Sequence, residues 1–294
     1  NFSVFIDLST GYSGGVDSGI RLETRKDSIS NFETVEYTGT YNVEIIGDAA
    51  ANSLSGSMGD DTIQGNAGND TINGGVGNDT LNGGAGVDTI NGGAGVDTVI
   101  FTNTVGGINA ILNENKTYND GFGNQDVLTN VENLTGTEYN DILGGNNDVN
   151  IFNGGDGDDL LFALGGNDTL NGGNGNDTFY GDAGDDTING GAGDDTINGG
   201  TGDDIIYSGS GDDIINGNAG NDTIINNGSG TMTLDGGSGT DIYHLDASNF
   251  TTSIENFSVF IDLSTGYSGG VDSGIRLETR KDSISNFETV EYTG

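Results

Sequence analysis

Cysteine, proline and tryptophan are absent from the 294 residues, and histidine occurs once, at His244. Without cysteine there is no disulfide and no thiolate nucleophile, and a single imidazole cannot complete a structural zinc site. Bases are scarce as well. Seven Lys and Arg face 46 acids, for a formal net charge of −39. Six of the seven lie in two copies of one segment (Arg21, Arg25, Lys26 and Arg276, Arg280, Lys281), the seventh is Lys116, and none occurs from Thr117 to Ile275. No basic stripe exists to release counterions from phosphates, so nucleic acid is excluded as a partner. No apolar run approaches the ~20 residues that span a bilayer as a helix, which speaks against membrane insertion. The chain opens on Asn1 with no basic-then-apolar leader. It reads as an excerpt of a longer polypeptide, so the missing leader is uninformative.

What is abundant is glycine, at 56 positions, and aspartate. That much glycine makes long helices unfavourable through backbone entropy. So acidic a composition would suit a disordered chain if the acids were scattered. They are periodic instead. Nonapeptides such as GNAGNDTIN (65–73), GGVGNDTLN (74–82), GDAGDDTIN (181–189) and GGAGDDTIN (190–198) recur in two runs. Their sixth position is acidic at Asp61, Asp70, Asp79, Asp88 and Asp97 in the first run. In the second it is Asp141, Asp159, Asp168, Asp177, Asp186, Asp195, Asp204, Asp213 and Asp222. Asn150 and Thr231 stand where the pattern lapses, and one extra residue moves the last member to Asp241.

The period has a mechanical reading. Positions seven to nine, as in Thr71-Ile72-Asn73, predict a three-residue strand with one inward apolar side chain. Ile63, Ile72, Leu81 and Ile90 fill that slot in the first run, and Leu170, Phe179, Ile188, Ile197, Ile206, Ile215 and Ile224 in the second. One apolar residue in nine makes a thin core that only stacked coils can bury jointly. Positions one to six predict a turn whose glycines allow positive φ and close approach of carbonyl oxygens. Two nonapeptides make an 18-residue coil, and turns eighteen apart then lie about 4.8 Å above one another. Stacked carboxylates and carbonyls are the hard oxygens that Ca²⁺ takes, about six to eight of them at roughly 2.3–2.6 Å. The intact pairs eighteen apart predict about ten shared Ca²⁺ sites. Their ligands are the fifteen aspartates named, Asp61 to Asp241. Ten such ions would halve the net charge, so metal binding and folding are expected to be one event.

A longer period is also present. Residues 1–39 recur letter for letter at 256–294, a spacing of 255. The stretch DSISNFETVEYTGT (27–40) is also echoed by DVLTNVENLTGT (126–137). The chain therefore divides into a connector (1–38), a first roll (39–100), a connector (101–135), a second roll (136–245) and a connector (246–294) that begins the next 255-residue unit. Alternating residues at Phe2, Val4, Ile6 and Leu8, and at Ile108, Ala110 and Leu112, read as strands. We expect the connectors to cap or splice neighbouring rolls, because a stack of coils has two open strand edges.

The nonapeptide GGxGxDxUx resembles the repeat of the RTX calcium-binding proteins, over both runs. NVENLTGT (130–137) is similar to the segments that lead into such rolls. The resemblance implies an all-β parallel β-roll, type I secretion from a Gram-negative-type cell, and folding on meeting external Ca²⁺. The family's uncleaved C-terminal secretion signal is not recognisable in this chain.

Rival chemistries fit less well. No GxxxxGK[ST] exists for a phosphate cradle, and no Glu between 139 and 254 closes an EF-hand loop. Acids that recur monotonously suit ligands better than a glycosidase pair, which occupies singular positions. Ice binding would want regular Thr in the turn, yet the third position holds Thr only at Thr201. Position-five acids (Asp60, Asp158, Asp185, Asp194, Asp203, Asp212) are expected to face solvent. The expected function is therefore non-enzymatic and structural: an extracellular, cell-surface adhesin, surface-layer or filament unit. Self-association is expected, and cell-surface glycans are a candidate partner. The alternative is the C-terminal calcium-binding secretion or folding module of a secreted enzyme or toxin.

Overall fold

The computed structural model describes residues 4–7, 26–28, 33–246, 258–259, 278–280, 283–285 and 289–293. Most of the connectors expected at 1–38 and 246–294 lie outside these residues. The chain divides into two compact units, Asn1–Thr137 and Glu138–Gly294. Each carries a parallel β-roll, and among the described residues the only helical turn is a 3₁₀ turn at Leu112–Glu114.

In the first unit, Val4–Asp7, Val43–Ile46, Thr62–Ala67, Thr80–Ala85, Thr98–Ile100 and Asn133–Thr135 pair in that order on one face. Lys26–Ser28 lies outside Val4–Asp7. The other face stacks Thr34–Glu36, Ser53–Met58, Thr71–Val76, Thr89–Ala94 and Val127–Thr129, all parallel. Lys116–Asn119 and Asn109–Ile111 then add as antiparallel strands. Successive partners within the nonapeptide run are eighteen residues apart, Thr62 with Thr80 and Thr71 with Thr89, as a two-repeat coil requires.

In the second unit one face runs Ile142–Gly144, Leu160–Phe162, Thr178–Ala183, Thr196–Thr201, Asp213–Ala219, Met232–Asp235 and Ser283–Ser285. The other runs Ile151–Asp156, Thr169–Asn174, Thr187–Ala192, Ile205–Tyr207, Thr223–Asn226, Ile242–Asp246 and Thr289–Thr293. The offset steps from eighteen to nineteen on both faces, at Asp213 with Met232 and at Thr223 with Ile242, so the extra residue is absorbed before Met232.

The core consists of single-file columns. Phe152, Leu170, Ile188, Ile206, Ile224 and Tyr243 stack in register, as do Leu143, Leu161, Phe179, Ile197 and Ile215, all fully buried. Ile63, Leu81, Val99 and Leu134 form the matching column of the first unit. Each buried aliphatic contributes about 1.5–3 kcal/mol. With one such residue per repeat, apolar burial has little reserve against the entropy of ordering so glycine-rich a chain.

One expectation needs correction. Thr98–Ile100, Leu160–Phe162 and Ile205–Tyr207 have the expected three residues, but many strands are longer: Thr71–Val76 runs through positions seven, eight, nine, one, two and three. Pairing continues past the glycines, Gly75 with Gly93 and Val76 with Ala94, while Gly74 is skipped. Glycine at position two sits at φ +120° in Gly75 and +115° in Gly93, a backbone that bends the strand yet keeps its ladder. The turn proper is thus only positions four to six.

Candidate metal centres

All fifteen aspartates singled out by the repeat are at most 2% exposed. They sit at the inner corner of each turn, immediately before the strand that carries the inward aliphatic. Their fixation comes from a ladder along the stack. The position-six N–H of one coil donates to Oδ1 of the aspartate eighteen residues on: Asp61 to Asp79, Asp70 to Asp88 and Asp79 to Asp97, each 2.8 Å. In the second unit the same bond links Asp141 to Asp159, Asp159 to Asp177, Asp168 to Asp186 and Asp177 to Asp195, again at 2.8 Å. Asp186 to Asp204, Asp195 to Asp213 and Asp204 to Asp222 follow at 2.9–3.1 Å. These ten pairs are the ones that the spacing picks out.

Oδ1 is thereby committed, and Oδ2 is not. In Asp61, Asp70, Asp79, Asp88, Asp97 and in eight of the second unit's predicted aspartates (Asp159 to Asp222), Oδ2 is buried with no hydrogen-bond partner. In most of these turns the orphaned oxygen points at a glycine in position one of its own turn, whereas the turns of Asp168 and Asp213 carry Ala163 and Ser208 there. A Cβ on Gly74 would land on Asp79 Oδ2 and on the carbonyl of Gly92 in the next coil. The same holds at Gly56 with Asp61 and Gly74, at Gly172 with Asp177 and Gly190, and at Gly217 with Asp222 and Gly236. Glycine at position one keeps open a small cradle into which a carboxylate oxygen and a backbone carbonyl both project.

Burial without a partner should penalise the charge, and it does. Burial is the largest influence on each of these carboxyls; it outweighs the lowering effect of the amide bond, and neighbouring aspartates add to it. Asp61 is raised to about 7, Asp159 to about 8, Asp195 to about 7 and Asp204 to about 7, from an ordinary 3.8. Among the described residues no Lys or Arg forms an ion pair with these carboxyls. Lys116, the one Lys or Arg between Lys26 and Arg276, pairs with Glu114 at 2.9 Å on the surface. A cation from the medium would supply the compensating charge.

Two turns with asparagine in the place of the position-six acid show the alternative. Asn52 and Asn150 occupy position six, and their Oδ1 atoms turn back to accept the N–H of Asp48 and Asn146 in their own turns, at 2.9 and 3.0 Å. A neutral amide closes its turn unaided. An aspartate in the same place leaves one oxygen waiting.

Three further carboxylate pairs share this geometry. Asp222 N–H donates to Asp241 Oδ1 at 2.9 Å across the nineteen-residue step. Asp88 N–H donates to Asp126 Oδ1 at 2.9 Å, and Asp97 N–H to Glu132 Oε2 at 2.8 Å. Asp126 and Glu132 lie in the stretch assigned to a connector, thirty-eight and thirty-five residues beyond their partners. A fixed nonapeptide period misses them because the Asn109–Asn119 excursion intervenes. The signal was local: Asp126-Val127-Leu128-Thr129 and Glu132-Asn133-Leu134-Thr135 repeat the acid–x–aliphatic–x cadence of Asp88-Thr89-Ile90-Asn91. Asp126 is itself raised to about 7, by burial first and then by Asp88 and Asp120.

Position-five residues form a second, exposed ladder that runs the opposite way. Asn78 N–H donates to Asp60 Oδ1, Asn176 N–H to Asp158, Asp203 N–H to Asp185 and Asp212 N–H to Asp194, at 2.8–2.9 Å. These acids stay at the solvent side of the turn. On the roll faces, Asn91 reaches Asn73 at 2.8 Å and Asn171 reaches Asn153 at 3.0 Å, as cross-strand ties.

The donor set suits a hard cation. Among the described residues no three Asp, Glu or His side chains converge on one point. An ion in a cradle would therefore take at most two carboxylates and draw its other ligands from carbonyls, of which the position-one glycine of the next coil is one. All-oxygen sites of this kind match Ca²⁺, and the absence of thiolate and imidazole disfavours zinc. Bound Ca²⁺ would supply the positive charge that the orphaned oxygens lack.

The model of the RTX calcium-binding nonapeptide repeat matches the chain over residues 37–63, 46–81, 64–99, 129–161, 162–197 and 189–224, more than half of its length. No curated protein matches it.

Proposed function

The chain belongs to the RTX calcium-binding nonapeptide repeat family, and from that premise we propose that it is a structural, Ca²⁺-dependent extracellular protein, a unit of an adhesin, surface layer or filament. The observation that carries this reading is the verbatim recurrence of residues 1–39 at 256–294 around rolls whose acidic corners repeat one geometry. A catalytic site needs a singular constellation, whereas here the buried carboxylates repeat one geometry coil after coil. Among the described residues no helix is long and apolar enough to cross a membrane.

Secretion in an unfolded state follows from the same chemistry. At the low Ca²⁺ of a cytosol the cradles keep uncompensated carboxylates, and the net charge of −39 opposes collapse. Millimolar Ca²⁺ outside the cell then couples ion binding to folding. Type I export is the route that the family relationship suggests, and the outward Asn and Thr ladders are the surface offered to cell-surface glycans.

The test is a Ca²⁺ titration followed by circular dichroism, with electron microscopy of the saturated sample. The reading expects a cooperative gain of β signal and extended assemblies of regular width. A Ca²⁺-folded protein that stays monodisperse and gains a hydrolytic activity would favour the secreted-enzyme module instead.

A further inference from the structure

The two identical segments pair with opposite ends of a roll. In the first copy, Thr34–Glu36 pairs with the strand that follows it: Thr34 with Ser53, Val35 with Leu54 and Glu36 with Ser55. In the second copy, the same three residues at 289–291 pair with the strand that precedes them: Thr289 with Ile242, Val290 with Tyr243 and Glu291 with His244. Each copy is the outermost strand of its sheet, so among the described residues its other edge is unpaired. One sequence thus opens a roll through one edge and closes a roll through the other.

The parity of the two pairings agrees. Val35 is buried and registers with Leu54, which is 1% exposed. Val290, its counterpart, registers with Tyr243, which is fully buried. A slip of one residue in either pairing would put the valine position on the solvent side of its neighbour. A single copy can therefore serve both neighbours at once, with Tyr243, valine and Leu54 in one continuous core column.

We infer that the repeated segment is a shared coil. In a tandem array its Thr-Val-Glu strand is hydrogen-bonded on one edge to Ile242–Asp246 of the preceding unit and on the other to Ser53–Met58 of the next. The partner of this surface is another 255-residue unit of the same sequence. Units then join by main-chain pairing and not through a flexible linker, and no strand edge is left exposed at the junction. On the opposite face Ser283–Ser285 already pairs with Met232–Asp235. One strand per coil fits on each face, so in the array Ser283–Ser285 replaces Val4–Asp7 as the neighbour of Val43–Ile46, the place that Val4–Asp7 holds in this chain. The inference rests on the reading of the protein as a Ca²⁺-folded structural repeat.

Because the chain has no cysteine, disulfide trapping reads the junction directly. The chain is extended by a second copy of residues 40–255 to give two linked units. Glu291→Cys is combined in one variant with His244→Cys, and in another with Ser55→Cys of the second copy. A third variant pairs it with Asn73→Cys of the second copy, one coil too far. Oxidation in Ca²⁺ is expected to crosslink the first two variants and not the third, and EGTA to abolish both crosslinks. A crosslink to His244→Cys alone means that the segment merely caps the preceding roll, and overturns the inference. No crosslink, with the Ca²⁺-induced β signal intact, overturns it while leaving the structural reading in place. Loss of that signal overturns both.

Discussion

At the scale of single residues, the decisive atom is Oδ2 of the position-six aspartate. Asp177 belongs to two stacked pairs, through its bonds with Asp159 and Asp195. Asp177→Asn keeps an oxygen for the Asp159 amide but removes the charge. Equilibrium dialysis with ⁴⁵Ca²⁺ should then show about two ions lost per chain. The glycine opposite is as specific. Gly74→Ala puts a Cβ onto Asp79 Oδ2 and the Gly92 carbonyl. Since Gly74 is not at positive φ, its cost arises at the cradle, and the titration midpoint should move to higher Ca²⁺. Gly75→Ala instead strains a backbone at φ +120° and should destabilise the roll even at saturating Ca²⁺. The carboxyls also set a pH dependence. Burial raises Asp61 to about 7 and Asp159 to about 8 in the metal-free roll, against 3.8 when exposed. Between about pH 4 and those values the folded chain binds more protons than the unfolded one, so metal-free stability falls as pH rises through that window. Chelated protein should therefore keep more β signal at pH 5 than at pH 8. The Ca²⁺ midpoint should shift the other way, to higher concentration at pH 5, because ligands must lose their protons to bind.

At the scale of the coil, apolar columns and carboxylate ladders act in parallel, and either can be weakened alone. Ile188→Ala opens a cavity between Leu170 and Ile206 in a fully buried column. Urea titration at fixed Ca²⁺ should register a loss of about 2–5 kcal/mol. Coil geometry also sets what the sequence could disclose. The nonapeptide period made the parallel roll, the inward column and the buried Asp corners readable, because each is a fixed offset along the chain. It underestimated the strands, since a ladder that survives positive-φ glycine is invisible to a rule that treats glycine as a breaker. It missed Asp126 and Glu132 for a different reason. Their offsets to Asp88 and Asp97 include an antiparallel excursion, Asn109–Asn119, so the stacking that unites them exists only in space. Asp126→Asn should remove an ion from the end of the first roll while leaving the second unit's sites filled, a difference that stoichiometry per unit would show.

At the scale of the whole molecule, charge links folding to location. With 46 acids and seven bases the chain carries a large excess of negative charge, and on the proposed reading its compact form depends on a cation from the medium. The letter-for-letter repeat suggested tandem assembly from sequence alone. The opposed pairings of Thr34–Glu36 and Thr289–Thr293 give that suggestion a register, which no periodicity analysis supplies. The account as a whole depends on ions at the stacked aspartates holding the coils together. Its most direct test is far-ultraviolet circular dichroism at pH 7.5 with excess EGTA, followed by return of millimolar Ca²⁺. The β signal should disappear on chelation and come back in full with the ion. An unchanged β spectrum in EGTA would contradict it.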